Sequence, residues 1–108
     1  MAMSKDEVIQ MVKEFLDQVR GKYDVRDAYL FGSFAKGTPA DYSDVDLAII
    51  LGGPAGMAES LFDESFTIFH EAQEFNSRLE VVCFFQEEFD QDGGVLARQI
   101  KKEGIKLL

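Results

Sequence analysis

The chain has no tryptophan, one cysteine, one histidine and two prolines, and it carries 11 basic residues against 20 acidic ones. One cysteine excludes a disulfide framework. Cys83 falls inside the apolar run Val81-Val82-Cys83-Phe84-Phe85, where a small buried hydrophobe is the simplest role for it. One histidine, His70, excludes a Cys/His zinc site and leaves any histidine-based nucleophilic triad with a single candidate, which the pattern places on the flank of a helix. The net charge of −9 argues against unaided nucleic-acid binding, which relies on Lys and Arg to displace counterions from phosphates. No apolar run approaches the ~20 residues that a membrane-crossing helix needs. The amino terminus passes directly into an amphipathic pattern and shows no signal peptide, so a cytoplasmic protein without a membrane partner is expected.

What is present is a globular composition: 108 residues, 46% hydrophobic, with 10 phenylalanines. That length supports one domain, residues 1–108, with a core of its own but no room for a second substrate-binding domain. Ser4 and Glu7 form a capping box, and Val8, Val12, Phe15, Leu16 and Val19 recur at helical spacing until Gly21. Ala28 to Phe31 reads as a strand, Val45 to Leu51 as a second and Arg78 to Phe85 as a third. Gly52 to Gly56 reads as a loop by composition. Between the last two strands a helix is expected over 57–76, with Leu61, Phe62, Ser65, Phe66, Phe69, Ala72 and Gln73 as its core side. Glu87, Glu88, Asp90 and Asp92 read as a solvated loop. A final helix is expected to end at Gly104, with 105–108 returning as an edge strand. The order helix, strand, strand, helix, strand, helix predicts an α/β (α+β) fold, a small mixed sheet with helices on one face.

The chemistry concentrates between Ala28 and Leu51. A strand ends at Gly32-Ser33, and Phe34-Ala35-Lys36 can open a helix, so free backbone N–H groups, a close-approach glycine and the Ser33 hydroxyl stand together. Such a turn suits phosphate oxygens. Asp44 and Asp46 open the next strand and, being two apart, share one of its faces at roughly 6.6 Å. Two carboxylates on one face repel unless a cation lies between them, and Mg²⁺ takes oxygen ligands while leaving room for substrate phosphates.

Gly32-Ser33, a ten-residue spacer and Asp44-Val45-Asp46 resemble the signature of the nucleotidyltransferase superfamily typified by DNA polymerase beta, and in particular its minimal nucleotidyltransferases. Gly37 and Ser43 also stand where those small proteins carry glycine and serine. The resemblance implies a nucleotidyltransferase fold and transfer of a nucleoside monophosphate from ATP to an acceptor hydroxyl, with two Mg²⁺ ions as cofactors. It implies Asp44, Asp46 and Glu80 as metal ligands and catalytic carboxylates, Glu80 being the acidic residue of the third strand. Gly32, Ser33, Lys36 and Ser43 would then hold the nucleotide, Lys36 as a point charge where relatives commonly carry arginine. Stand-alone members are typically paired with a HEPN toxin, and some transfer AMP to a tyrosine of that partner. An antitoxin-type protein adenylyltransferase in a hetero-oligomer is therefore the expectation. Its competitors are an antitoxin that only binds, and a small-molecule nucleotidyltransferase whose acceptor pocket forms in a homo-oligomer.

Overall fold

Ser4 caps the first helix as the sequence dictates. Its hydroxyl accepts from the Glu7 amide at 3.1 Å, and the Glu7 carboxylate accepts from the Ser4 amide at 3.3 Å. In the computed structural model, residues 4–37, 44–52, 58–91 and 94–108 are described, with the backbone alone for 58–62. Helix α1 (Lys5–Arg20) buries Val8, Val12, Phe15, Leu16 and Val19, the five residues its periodicity selects. Strand β1 (Val25–Phe31), the short helix α2 (Ser33–Lys36) and strand β2 (Val45–Leu51) follow. Helix α3 (Ala58–Phe75) crosses to β3 (Leu79–Phe85), and α4 (Gln86–Gln91), α5 (Gly94–Glu103) and β4 (Ile105–Lys106) complete the chain. The proposed loop residues Gly53 to Gly56 lie outside the described residues.

The strand order is β3-β2-β1-β4. β1 runs antiparallel to β2 and β4, whereas β2 and β3 are parallel, as a strand–helix–strand crossover through α3 requires. The mixed sheet with flanking helices is the expected fold, but one face does not hold all the helices. Val45, Leu47, Ile49 and Leu51 point into a core with α1 and α3 residues such as Val12, Phe15 and Ile68. Ala48 and Ile50 point the other way, into a second core with Phe89 of α4 and Ala97 and Ile100 of α5. Six of the seven β2 residues are buried, because a strand covered on both faces needs apolar side chains at odd and even positions alike. That continuous run was the signal for two covered faces.

Two further expectations fail for physical reasons. Over Gln86–Gln91 the acidic run after β3 is helical rather than a loop, Asp92 lying outside the described residues: Glu87, Glu88 and Asp90 stay exposed while Phe89 turns inward onto Tyr29 and Phe84. Acidic residues in its first turn also complement the helix dipole. In α3 the core side is rotated from the expected one. Ile68 and Ala72 are fully buried, while Phe66 and Phe69 face outward. The helix carries aromatic residues around more of its circumference than one apolar stripe, so periodicity alone did not select the buried set.

Phe89 is buried at the centre of the α4 contact, so Phe89→Ala should cost about 3 kcal/mol. Urea denaturation followed by circular dichroism would measure it; a loss below ~1 kcal/mol would mean that α4 does not close the second core.

Candidate active site

The turn at Gly32 sets the geometry. Phe31, the last residue of β1, pairs with Asp46 of β2, which in turn pairs with Glu80 of β3. Gly32 adopts φ 76°, ψ −154°, a region essentially restricted to glycine. A Cβ there would also collide with the Asp46 carboxylate. The backbone of the turn therefore lies directly against a site carboxylate. α2 begins at the next residue and is closed by a bond from the Lys36 amide to the Gly32 carbonyl at 3.1 Å. The amides of its first turn have no partner inside the helix.

Asp44, Asp46 and Glu80 lie on the side of the sheet that carries Ala48, Ile50, Val82 and Phe84, toward the end at which β2 and β3 begin. A bond from the Val45 amide to the Arg78 carbonyl at 2.8 Å fixes the stagger of the two strands. Asp46 is half-buried, and Asp44 and Glu80 are exposed. Burial pushes the Asp46 carboxyl above the ordinary carboxylate range, and the Asp44 charge adds to the effect. Glu80 is raised first by burial, then by the charges of Asp44 and Asp46 and by a hydrogen bond with Asp44. Asp46 thus senses Asp44 as a like charge, and Glu80 senses both aspartates.

Among the described residues no group of three His, Cys, Asp or Glu side chains converges into a ready-made metal cage. The donor set still fits Mg²⁺, which usually binds one or two carboxylates together with waters and substrate phosphates. The raised Asp46 and Glu80 carboxyls are the mark of a place that a cation would relieve.

The other expected residues are not all in one place. Ser33 is half-buried at the first position of α2. Lys36 extends to α5, where its Nζ lies 3.3 Å from the Glu103 carboxylate, both side chains being exposed. Ser43 lies outside the described residues. His70 is exposed on α3, its ring edge-on to Phe66. Cys83 is tucked against the first core, and burial raises its thiol to about 11, so it stays protonated at neutral pH. Arg78 escaped the sequence reading. Its guanidinium lies over the Phe34 ring at 5.9 Å, which attaches a fixed positive charge to α2. It is the only basic residue between Lys36 and Arg98, and that isolation was the available signal.

The nucleotidyltransferase domain model matches residues 12–107. The chain therefore belongs to the nucleotidyltransferase domain family. No curated protein sequence matches it. Its fold is similar to that of a Sulfolobus solfataricus protein proposed to be a nucleotidyltransferase, with a TM-score of 0.68 and 20% identity over 94% of this chain and 80% of that one. A toxin–antitoxin structure with AMP-PNP matches at a TM-score of 0.61 and 19% identity, covering 93% of this chain and 72% of its own. A mutant of the toxin–antitoxin MntA–HpeT, with two aspartate-to-glutamate changes two residues apart, matches at 0.54 and 16% identity over 98% and 73%.

Two outcomes follow from the turn and the carboxylates. Gly32→Ala should lose about 2 kcal/mol of stability from backbone conformation alone, and more as Asp46 is displaced; thermal denaturation would check it, and an unchanged midpoint would contradict the geometry. Because the folded-state pKa of Asp46 is raised, its stability penalty is absent below the ordinary carboxylate range and grows as pH rises through the folded value. Without divalent cations, Asp46→Asn should therefore be more stable than the parent at pH 7, and the difference should shrink toward pH 4. Urea midpoints at a series of pH values would show the trend; a gap that widens on acidification would reverse the assignment.

Proposed function

We propose that this nucleotidyltransferase is Mg²⁺-dependent and moves AMP from ATP to a hydroxyl, a tyrosine by preference, of a partner HEPN toxin. The observation that carries the reading is the placement of Asp44, Asp46 and Glu80 beside a glycine turn that no other residue can form. Its biological direction is supported by the two toxin–antitoxin structures among the fold neighbours, one of them described with AMP-PNP.

Asp44, Asp46 and Glu80 would hold Mg²⁺, whose chemistry at such a site is to neutralise the triphosphate and lower the pKa of a bound hydroxyl. The turn amides after Gly32 and the Ser33 hydroxyl hold the β- and γ-phosphates in line with the bond that breaks. The family resemblance alone adds Ser43 to the same grip. Lys36 joins it by exchanging its exposed pairing with Glu103 for a phosphate oxygen. The tyrosine oxygen attacks the α-phosphorus, the bond to the β-phosphate oxygen breaks, and pyrophosphate leaves. Glu80, exposed and raised in pKa, accepts the tyrosine proton. The net charge of −9 opposes a free triphosphate and favours a basic partner, which it steers to the site.

Mixing the protein with ATP, Mg²⁺ and its toxin should add the mass of one AMP unit per modified tyrosine, as read by intact-mass spectrometry. Asp44→Asn should abolish the addition. An unmodified partner whose toxicity is nevertheless suppressed would assign the chain to antitoxins that only bind.

A further inference from the structure

The two edges of the sheet are treated differently. β4 is two residues long and its Lys106 pairs with Asp27 at 3.5 Å, which blunts that edge in the usual way. β3 is seven residues, LEVVCFF, and among the described residues it has a neighbouring strand on one side only. It contains no proline, and Glu80 is its one charge. Gln73 caps the Leu79 carbonyl at 2.7 Å, so the covered part of the edge is its first residue. Beside the open part runs a cleft of about 370 Å³ lined by Ser65, Phe66, Phe69, Val81, Val82 and Cys83. Phe66 is 59% and Phe69 40% exposed. They are the two most exposed phenylalanines among the described residues.

From this edge and its surroundings, we propose that the β3 edge and the Phe66–Phe69 cleft form the docking groove for an extended, lysine- or arginine-bearing segment of the partner protein, which adds to the sheet as a fifth strand. The charge pattern selects this occupant. Asp63 on α3, Glu80 on β3 and Glu88 and Asp90 on α4 are exposed, and residues 58–91 contain one arginine, so a second copy would bring like charges together, whereas a basic segment meets opposite charge. Strand alternation then sorts the incoming side chains. Those on the α3 side meet Phe66 and Phe69, and those on the opposite side meet Glu80 and α4 with its exposed Glu88. Main-chain bonds provide affinity and the cleft provides selectivity, as in other strand additions. Glu80 directly precedes Val81 and Val82 on the same edge strand, so a strand added along β3 would run past the carboxylate site at the start of β3, on the face opposite the cleft. The inference rests on the proposed transfer to a protein acceptor, because it says how that acceptor is brought there.

The test is an NMR titration of isotope-labelled protein with a capped heptapeptide alternating valine and lysine, against the same peptide with glutamate for lysine. The lysine peptide should shift and protect the amides of residues 79–85, and the glutamate peptide should bind at least about ten-fold more weakly. Phe66→Ser, at an exposed position, should keep the parent melting temperature and lose a similar factor. Asp46→Asn should bind the peptide like the parent while losing Mg²⁺-dependent nucleotide binding, which separates failure of the groove from failure of the transfer reading. Absence of shifts in 79–85, or equal binding of both peptides, would overturn the proposal. A concentration-dependent dimer in sedimentation, abolished by Phe66→Ser, would give the groove to a second copy and overturn it as well.

Discussion

Asp46 occupies the space that any side chain at position 32 would need. That steric exclusion joins the two halves of the site, because it lets the backbone of the Gly32–Ser33 turn approach a half-buried carboxylate at a distance that only glycine permits. The arrangement is unfavourable in isolation. Burial and neighbouring negative charge both raise the Asp46 carboxyl, and a fold retains such a group only where the surrounding structure enforces it. Here the enforcement comes from pairing on both sides, with Phe31 of β1 and Glu80 of β3.

The double coverage of β2 explains why that enforcement holds. Its odd residues belong to the core under α1 and α3, and Ala48 and Ile50 to the core under α4 and α5. A strand clamped in this way cannot slip by one residue, since a slip would exchange every side chain between the two cores. Asp44 and Asp46 therefore keep their face. At the periphery α3 leaves Phe66 and Phe69 in solvent, and among the described residues β3 pairs with a strand on one side only.

Much of this was legible in the sequence because local and global signals agree. The capping box and the five-residue stripe of α1 emerge residue for residue, β2 falls where its pattern places it, and the edge strand expected over 105–108 forms over Ile105–Lys106. The Gly32 turn and the two aspartates were legible because a strand precedes the glycine and follows the second aspartate. Their proximity to Glu80 was inferred from a family resemblance, and the parallel β2–β3 register now sets Glu80 beside Asp46. What was illegible depended on tertiary context. Phe89 buries one side of an otherwise acidic helix, which charge counting reads as solvent. Ile68 displaces Phe66 and Phe69 from the core because α3 lies against β3 at a rotation that its aromatic-rich sequence does not specify. Lys36 turns toward Glu103, a contact 67 residues away in sequence that no local pattern announces.

The central claim is that these carboxylates and this turn form one site for a metal-bound triphosphate. Calorimetric titration of a non-hydrolysable ATP analogue, with and without Mg²⁺, into the parent protein and Asp46→Asn tests it most directly. The account predicts binding that requires Mg²⁺ in the parent and is lost in Asp46→Asn despite a folded protein. Equal affinity in both proteins, or nucleotide binding that ignores Mg²⁺, would contradict it.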